Sequence, residues 1–320
     1  MIKFSIGIPA FKSVFLKECI DSILKQDYQY FELIIVDDCS PEPIDKIVSS
    51  YSDSRIKYFK NETNIGAEHV VDNWNICLEK SSGDYFILMG DDDKLQHNYL
   101  QEFIKLIKQH PGLSVYHCRS KIIDETSKPY SITSINPDYE NVYDFILSCI
   151  KQHRHQYVSD FVYKTESLKA RGGFYKLPLA WASDYLSAWI ASIENGIAHT
   201  NITLFNYRMN RYSITSSNNI RIITLKTKAL IQCNEWLQEF LETPPSDEDN
   251  FLKYSLIQVA LAKKKKTDKI SAIKQIIGLS NPFYGALNII KARKELHITS
   301  SDILSAFISS IFSKIDTSTE

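Results

Sequence analysis

The sequence predicts an α/β protein built on a mostly parallel central sheet flanked by helices, with an α-helical C-terminal appendage. Three observations predict it. Short apolar runs alternate with segments of helical spacing through the first two-thirds of the chain. Two of those runs deliver acids, Asp37-Asp38 and Asp91-Asp92-Asp93. Beyond about Ile220 the β signals stop and helical patterns alone remain. Strand–helix–strand alternation at this spacing means βαβ units, and the buried strands of a parallel sheet read as continuous apolar runs.

Phe4–Pro9 is the first apolar run, and Val14, Leu16, Cys19, Ile20, Ile23 and Leu24 then fall near helical spacing. Phe31–Val36 is a second strand. Ser40 followed by Pro41 predicts a capped helix start, running to about Tyr51. Arg55–Phe59 is a third strand, Asn61–Gly66 a polar loop and Ala67–Lys80 a helix. The run Asp84–Met89 then leads through Gly90 to three adjacent carboxylates. Asn98–Gln109 is helical and stopped by His110-Pro111-Gly112, and Leu113–Cys118 is another strand. Ile123–Asn141 is polar and pattern-poor, which predicts a mobile substrate-facing loop. A helix over Val142–Lys151, a strand over Val158–Tyr163 and a short helix over Thr165–Arg171 reach Gly172-Gly173. Trp181–Glu194 is a helix closed by Gly196, and Ile202–Arg208 a last strand. Helical patterns follow near 220–242, 250–266, 268–278, 282–295 and 300–315, with Thr243–Asn250 as a linker.

The bulk properties narrow the function. Hydrophobic content of 44% and charged content of 23% in 320 residues are ordinary for a globular protein. A formal net charge of −1 predicts no general affinity for nucleic acid. The charge is uneven: Phe251–His297 holds ten Lys/Arg against two acids. Six dispersed cysteines with no Cys-x-x-Cys pair read as reduced thiols. The chain enters a strand directly after Met1, leaving no room for a signal peptide, and no apolar run approaches the roughly 18 residues of a transmembrane helix. The expected location is cytoplasmic.

Ligands of open α/β sheets gather beyond the carboxyl ends of the strands, where both acidic clusters fall. One cluster can accept hydrogen bonds from a base or ribose while the other holds a metal on a diphosphate. Oxygen-only ligation suits Mg²⁺ or Mn²⁺. The alternating acids and closing glutamate of a calcium-binding EF-hand are absent. Phe11, ending the first strand on the same rim, is either ordinary core or a platform for a nucleobase.

These features together resemble the inverting nucleotide-sugar glycosyltransferases of family 2, which have the GT-A fold. The matching residues are Ser5–Phe11, the Val36-Asp37-Asp38-Cys39-Ser40 turn, Asn64-Ile65-Gly66, Gly83-Asp84-Tyr85 and Gly90–Asp93. The resemblance implies that Pro9, Phe11 and Asp38 hold the nucleobase and that Asp91 contacts the ribose. It implies that Asp92, with Asp93 beside it, ligates a divalent metal, Mn²⁺ or Mg²⁺, on the donor's diphosphate. Many relatives carry a further acid where Gly90 stands, and arginine where Trp74 precedes Asn75. Asp184, after the Gly172-Gly173 turn, is the implied general base, since displacement at the anomeric carbon needs a carboxylate to take the acceptor's proton. Arg208 and Arg211 either steady the leaving diphosphate through charge-assisted bonds or form surface salt bridges.

The implied enzyme moves a sugar from a nucleoside-diphosphate sugar, with uridine as the expected base, to a saccharide or lipid-linked saccharide, as in surface polysaccharide biosynthesis. Residues 1–115 would form a nucleotide-binding half, 116–218 an acceptor half and 219–320 the appendage. A metal-dependent phosphoryl or nucleotidyl transferase would also use clustered acids, and a catalytically silent nucleotide-sugar-binding subunit would need no base. His153 and His155 lack the spacing of a zinc pair on a helix. Lys263–Lys266 is either a solvated helix end or a contact with anionic lipid, and the amphipathic last helix through Ile315 either packs on its own protein or lies on a membrane.

Overall fold

A computed structural model describes residues 1–211, 219–279 and 282–307. Its contacts divide the chain into two units, one of Met1–Lys176 with Ser183–Arg211, the other of Leu177–Ala182 with Tyr212–Glu320. The boundary expected at 218/219 lies at the edge of residues outside the description.

The first unit is organised by one sheet. β1 (Phe4–Ala10), β2 (Phe31–Asp37), β3 (Ile56–Lys60) and β4 (Tyr85–Leu88) pair in parallel in the order β3-β2-β1-β4. β2 reads Phe-Glu-Leu-Ile-Ile-Val-Asp, and all seven residues are buried, as a central parallel strand requires. β5 (Lys94–Leu95), β6 (Val115–Ile123), β7 (Pro129–Ile132), β8 (Tyr139–Glu140), β9 (Phe161–Lys164) and β10 (Ile197–Arg208) complete the sheet. β9 enters antiparallel between β4 and β6, and β10 lies parallel to β6, so the order continues β4-β9-β6-β10-β5. The helices of this unit are α1 (Leu16–Leu24), α2 (Ile44–Ser49), α3 (Val70–Glu79), α4 (Tyr99–Gln109), α5 (Val142–Ile150), α6 (Thr165–Ala170) and α7 (Ser183–Ser192). α3 lies so close to β1 that a Cβ at Gly7 would stand 2.7 Å from Cys77 Cβ.

At the rim opposite the acidic turns, Glu32 is buried and accepts from Lys57, Ser5 and Ser82. Burial alone would raise its pKa, but these bonds outweigh it and hold the carboxyl down to about 2. That carboxylate stitches strand starts together.

Four local expectations are corrected. Ser40 does not cap a helix: its N–H donates to Asp37 Oδ1, its hydroxyl to the Phe11 carbonyl, and α2 starts only at Ile44. Those tighter bonds hold the turn open for three further residues. Ile123–Asn141 is not a patternless loop, because β6 and β7 form a hairpin. Asp124 closes its turn by accepting from Thr126 and Lys128 N–H groups at 2.8 and 2.9 Å. Val158–Asp160 is a 3-10 turn before β9, and β10 begins at Ile197, with register shifts near Thr203.

In the second unit α8 (Ile220–Phe240), α9 (Glu248–Gly278) and α10 (Pro282–Arg293) share a small core of Ile223, Ala272, Ile273, Ile276, Ile289 and Leu296. α9 is one helix where two were expected, since neither Gly nor Pro breaks Lys266–Asp268. Residues 300–307 are helical; the rest of the expected terminal amphipathic helix lies outside the described residues.

Candidate active site

The acidic turn after β4 is held from three sides. Asp91 Oδ2 accepts from the N–H groups of Phe11 and Lys12 at 2.9 and 2.8 Å, fastening the turn to the end of β1. Asp92 Oδ2 accepts from Asn210 Nδ2 at 2.7 Å, just past β10. Asp93 is buried and accepts the Arg208 N–H at 2.7 Å. Gly90 leaves the room: a Cβ there would sit 2.7 Å from Asp93 Oδ2 and 3.1 Å from Asp92 Oδ1. A side chain at this position would require the Asp93 carboxylate to move. Burial, and for Asp91 and Asp93 the neighbouring Asp92 charge as well, pushes all three carboxyls upward. The turn therefore resists full ionisation without a cation to relieve it.

Arg208 is where sequence reasoning errs. Expected to meet a diphosphate, its side chain is wholly buried. Its Nε donates to the Asp92 carbonyl at 2.7 Å, Nη1 to the carbonyls of Asp124 and Glu125, and Nη2 to Glu18 Oε2 at 3.0 Å. The guanidinium also lies over Phe15, 4.2 Å from the ring centroid. It clamps the acidic turn to the β6–β7 hairpin, so its role is positional. Arg211, largely exposed, is paired with Glu125 at 3.2 Å. Asp93, expected beside the metal, is turned inward to the Arg208 N–H for the same reason.

Next to this turn, Asp38 directly follows β2. Its N–H donates to the Ala10 carbonyl at 3.0 Å, and its carboxylate accepts from Asn61, Asn64 and the Ile65 N–H. The Asn64-Ile65-Gly66 loop is thus shaped around Asp38, which keeps spare acceptor capacity because a carboxylate offers about four lone-pair sites. Pro9 is half-buried and Phe11 is 39% exposed, an aromatic face left open beside the acids rather than core.

The Gly172-Gly173 turn, with φ of 84° and 88°, is pinned to α3. Phe174 N–H donates to Asn75 Oδ1 at 2.7 Å, and Asn75 Nδ2 donates back to the Phe174 carbonyl at 3.1 Å. Asn75 accordingly spends its amide on backbone. Asp184 opens α7, accepting the Tyr185 N–H at 2.9 Å. Burial first, and the Asp160 charge second, push its carboxyl up to about 7.

Under this region lies a buried polar layer with no local signal in the sequence. Strand register sets His117 of β6 beside His199 of β10, their Nδ1 atoms 3.1 Å apart. His199 Nε2 lies 2.9 Å from Glu140 Oε1, and His117 Nε2 3.6 Å from Asp160 Oδ2. Arg154 pairs with Glu140 through two bonds. Burial pushes His199 down to about 4, so its ring is neutral near pH 7.

No group of three Asp, Glu, His or Cys that could hold a metal ion occurs among the described residues. A Mg²⁺ or Mn²⁺ ion that takes most of its oxygens from substrate phosphates and water needs only one or two carboxylates. Half-buried Asp91 and Asp92, which resist full ionisation without a cation, fit that requirement, and inward-facing Asp93 does not.

A family model described as "Glycosyl transferase family 2" matches residues 5–165. One relative, a GalNAc(5)-diNAcBac-PP-undecaprenol beta-1,3-glucosyltransferase of Campylobacter jejuni, is 28% identical over 152 residues, 46% of this chain and 48% of its own. The curated relatives are matched over 18% to 48% of their length, so the chain spans less than half of each. Among solved structures, Staphylococcus aureus TarS 1–349 in complex with UDP-GlcNAc gives a TM-score of 0.58 at 18% identity, over 92% of this chain and 90% of that one. The mannosyltransferase PcManGT of Pyrobaculum calidifontis, in complex with GDP-Man and Mn²⁺, gives 0.55 at 13%, over 97% and 87%. These structural likenesses establish a shared fold. The parallel β3-β2-β1-β4 sheet, the acidic turn after β4 and the matched span together place the chain in glycosyl transferase family 2.

Proposed function

We propose that the protein transfers a sugar from a nucleoside-diphosphate sugar to a saccharide or lipid-linked saccharide with inversion, as a step of surface polysaccharide assembly. The observation that carries the reading is the separation of its carboxylates. One group stands around open Phe11 at the strand ends, while half-buried Asp184 opens α7 and is pushed to about 7. Relatives that bear on donor and acceptor are the UDP-GlcNAc complex of TarS and the undecaprenol-linked saccharide named for the Campylobacter enzyme.

In this reading residues 1–115 bind the nucleotide and 116–218 the acceptor. Phe11 and Pro9 meet a uracil face and Asp38 accepts from the base. Asp91 accepts from the ribose, and Asp92 with Asp91 holds Mn²⁺ or Mg²⁺. The bound ion neutralises charge on the departing diphosphate. Arg208 keeps Asp92 and Asp93 in place, and Asp184 takes the proton of the acceptor hydroxyl. The protein works in the cytoplasm, at the membrane face where a lipid-linked acceptor is presented.

A thermal-shift screen of nucleoside diphosphates and their sugars with Mn²⁺ or Mg²⁺, followed by a transfer assay, tests the proposal. Stabilisation by a nucleotide sugar and release of nucleoside diphosphate on acceptor addition are expected. Phosphoryl or nucleotidyl transfer, or tight binding with no turnover, overturns it in favour of the two rival readings. Asp38→Ala should weaken free nucleoside and nucleotide sugar alike, by roughly 1.5–3 kcal/mol for a hydrogen bond to a charged group. Calorimetric titration measures both, and an unchanged nucleoside affinity leaves Asp38 only its loop-shaping bonds.

A further inference from the structure

α9 carries an exposed face that the transfer reaction does not use. Phe251, Leu252, Leu256 and Val259 are 50%, 61%, 40% and 72% exposed, four large apolar side chains within nine residues. Leu252, Leu256, Val259, Lys263 and Lys266 succeed one another at intervals of four, three, four and three, which keeps them on one side of a helix. The four consecutive lysines are split by this geometry. Lys264 Nζ donates to Asp268 at 2.6 Å and Lys265 Nζ donates to Gln238 of α8, so both serve the unit's own packing. Lys263 and Lys266 are exposed and continue the apolar stripe.

We propose that this face of α9 lies on an anionic phospholipid surface. Leu252, Leu256 and Val259 enter the headgroup boundary, and Lys263 and Lys266 extend along it to lipid phosphates, their stems on the apolar side. Charge complementarity selects this occupant. The charges that follow the apolar residues on this face are Lys263 and Lys266, within a segment Phe251–His297 of ten cations whose two acids are engaged, Asp268 by Lys264 and Glu295 by Lys228. The acids Glu248 and Asp249 stand at the opposite end, in the first turn of α9. A second copy of the chain is the rival occupant, and the vesicle and oligomer measurements below separate the two. No described helix is long and apolar enough to cross a membrane, so the contact lies in the surface plane. The inference deepens the lipid-linked acceptor reading by assigning the face that meets the lipid, and its test reads binding rather than transfer.

Co-sedimentation of the full chain with vesicles of phosphatidylcholine alone, or mixed with phosphatidylglycerol, tests it. Binding is expected on the anionic vesicles only, falling with salt. Lys263→Gln with Lys266→Gln should weaken it about thirtyfold, the product of two surface lysines. Lys264→Gln with Lys265→Gln removes the same charge and should leave binding within about threefold. Leu256→Glu with Val259→Glu should abolish it. Equal weakening by both lysine pairs overturns the assignment, as does equal recovery on neutral vesicles. Conversion of a dimer to a monomer by Leu256→Glu with Val259→Glu, with vesicle binding intact, assigns the face to a second copy instead. Donor-induced thermal shift, measured on the same proteins, should be unchanged; its absence in the unmodified chain would sink the transferase reading and leave the membrane contact standing.

Discussion

Asp184→Asn lowers kcat by about 10²–10⁴, the range for losing a general base, and leaves donor affinity within a few-fold. The asparagine keeps the size and can still accept the Tyr185 N–H, but it cannot take a proton. In the parent protein the rate should rise with pH through about 7, where the buried carboxyl ionises, and that limb should vanish in the variant. Stability moves the opposite way. A carboxyl whose folded pKa stands above its ordinary 3.8 contributes stability below that value, lost as pH climbs through about 7. Asp184→Asn should therefore raise the melting temperature at pH 8 while removing transfer. Initial rates, donor titration and melting curves on one preparation check all three. Transfer retained within tenfold excludes Asp184 as the base, and collapse of donor affinity assigns it to the donor site.

Asp92→Asn abolishes Mn²⁺-dependent stabilisation by a nucleoside diphosphate, the second large effect. The variant should fold as well as the parent or better without ligand. The Asp92 charge is what raises Asp91 and Asp93 beyond burial, and an amide removes that repulsion while keeping an oxygen for Asn210. Melting curves with nucleotide and Mn²⁺, each alone and together, separate the outcomes. An undiminished joint shift takes Asp92 out of the metal's reach. Lower stability without any ligand would contradict the electrostatic account of the turn.

What the sequence disclosed follows from how local each signal is. The β1, β2 and β4 runs and the acids that follow them are contiguous, so apolar run length and position relative to the strand were enough. α9 was misdivided because a lysine tract resembles a helix end, although lysine is a good helix former. Arg208 is legible as a cation at a strand end, but its burial depends on the hairpin around Asp124, far away in sequence. The His117–His199 pair could not be read at all. Only the parallel register of β6 with β10 brings those rings together, across 82 residues. At the Ser40 turn a standard cap signal lost to a local bond from its N–H to Asp37 and a tertiary bond from its hydroxyl to the Phe11 carbonyl.

The attachment of Asp93 to Arg208 joins residues 115 apart, and β10 supplies both that bond and the strand between β6 and β5. This has a consequence for biogenesis. A nascent chain that has emerged only through residue 165, the end of the family match, has every acid of the turn but not β10. At that stage one edge of β6 is bare, β5 has no strand to pair with, and Asp93 lacks its donor. Contacts that must wait for so distant a strand close slowly and leave edges open to other chains. Translation must therefore pass Arg208 before the nucleotide half acquires its working geometry, and a fragment cut at the end of the family match should aggregate rather than bind nucleotide.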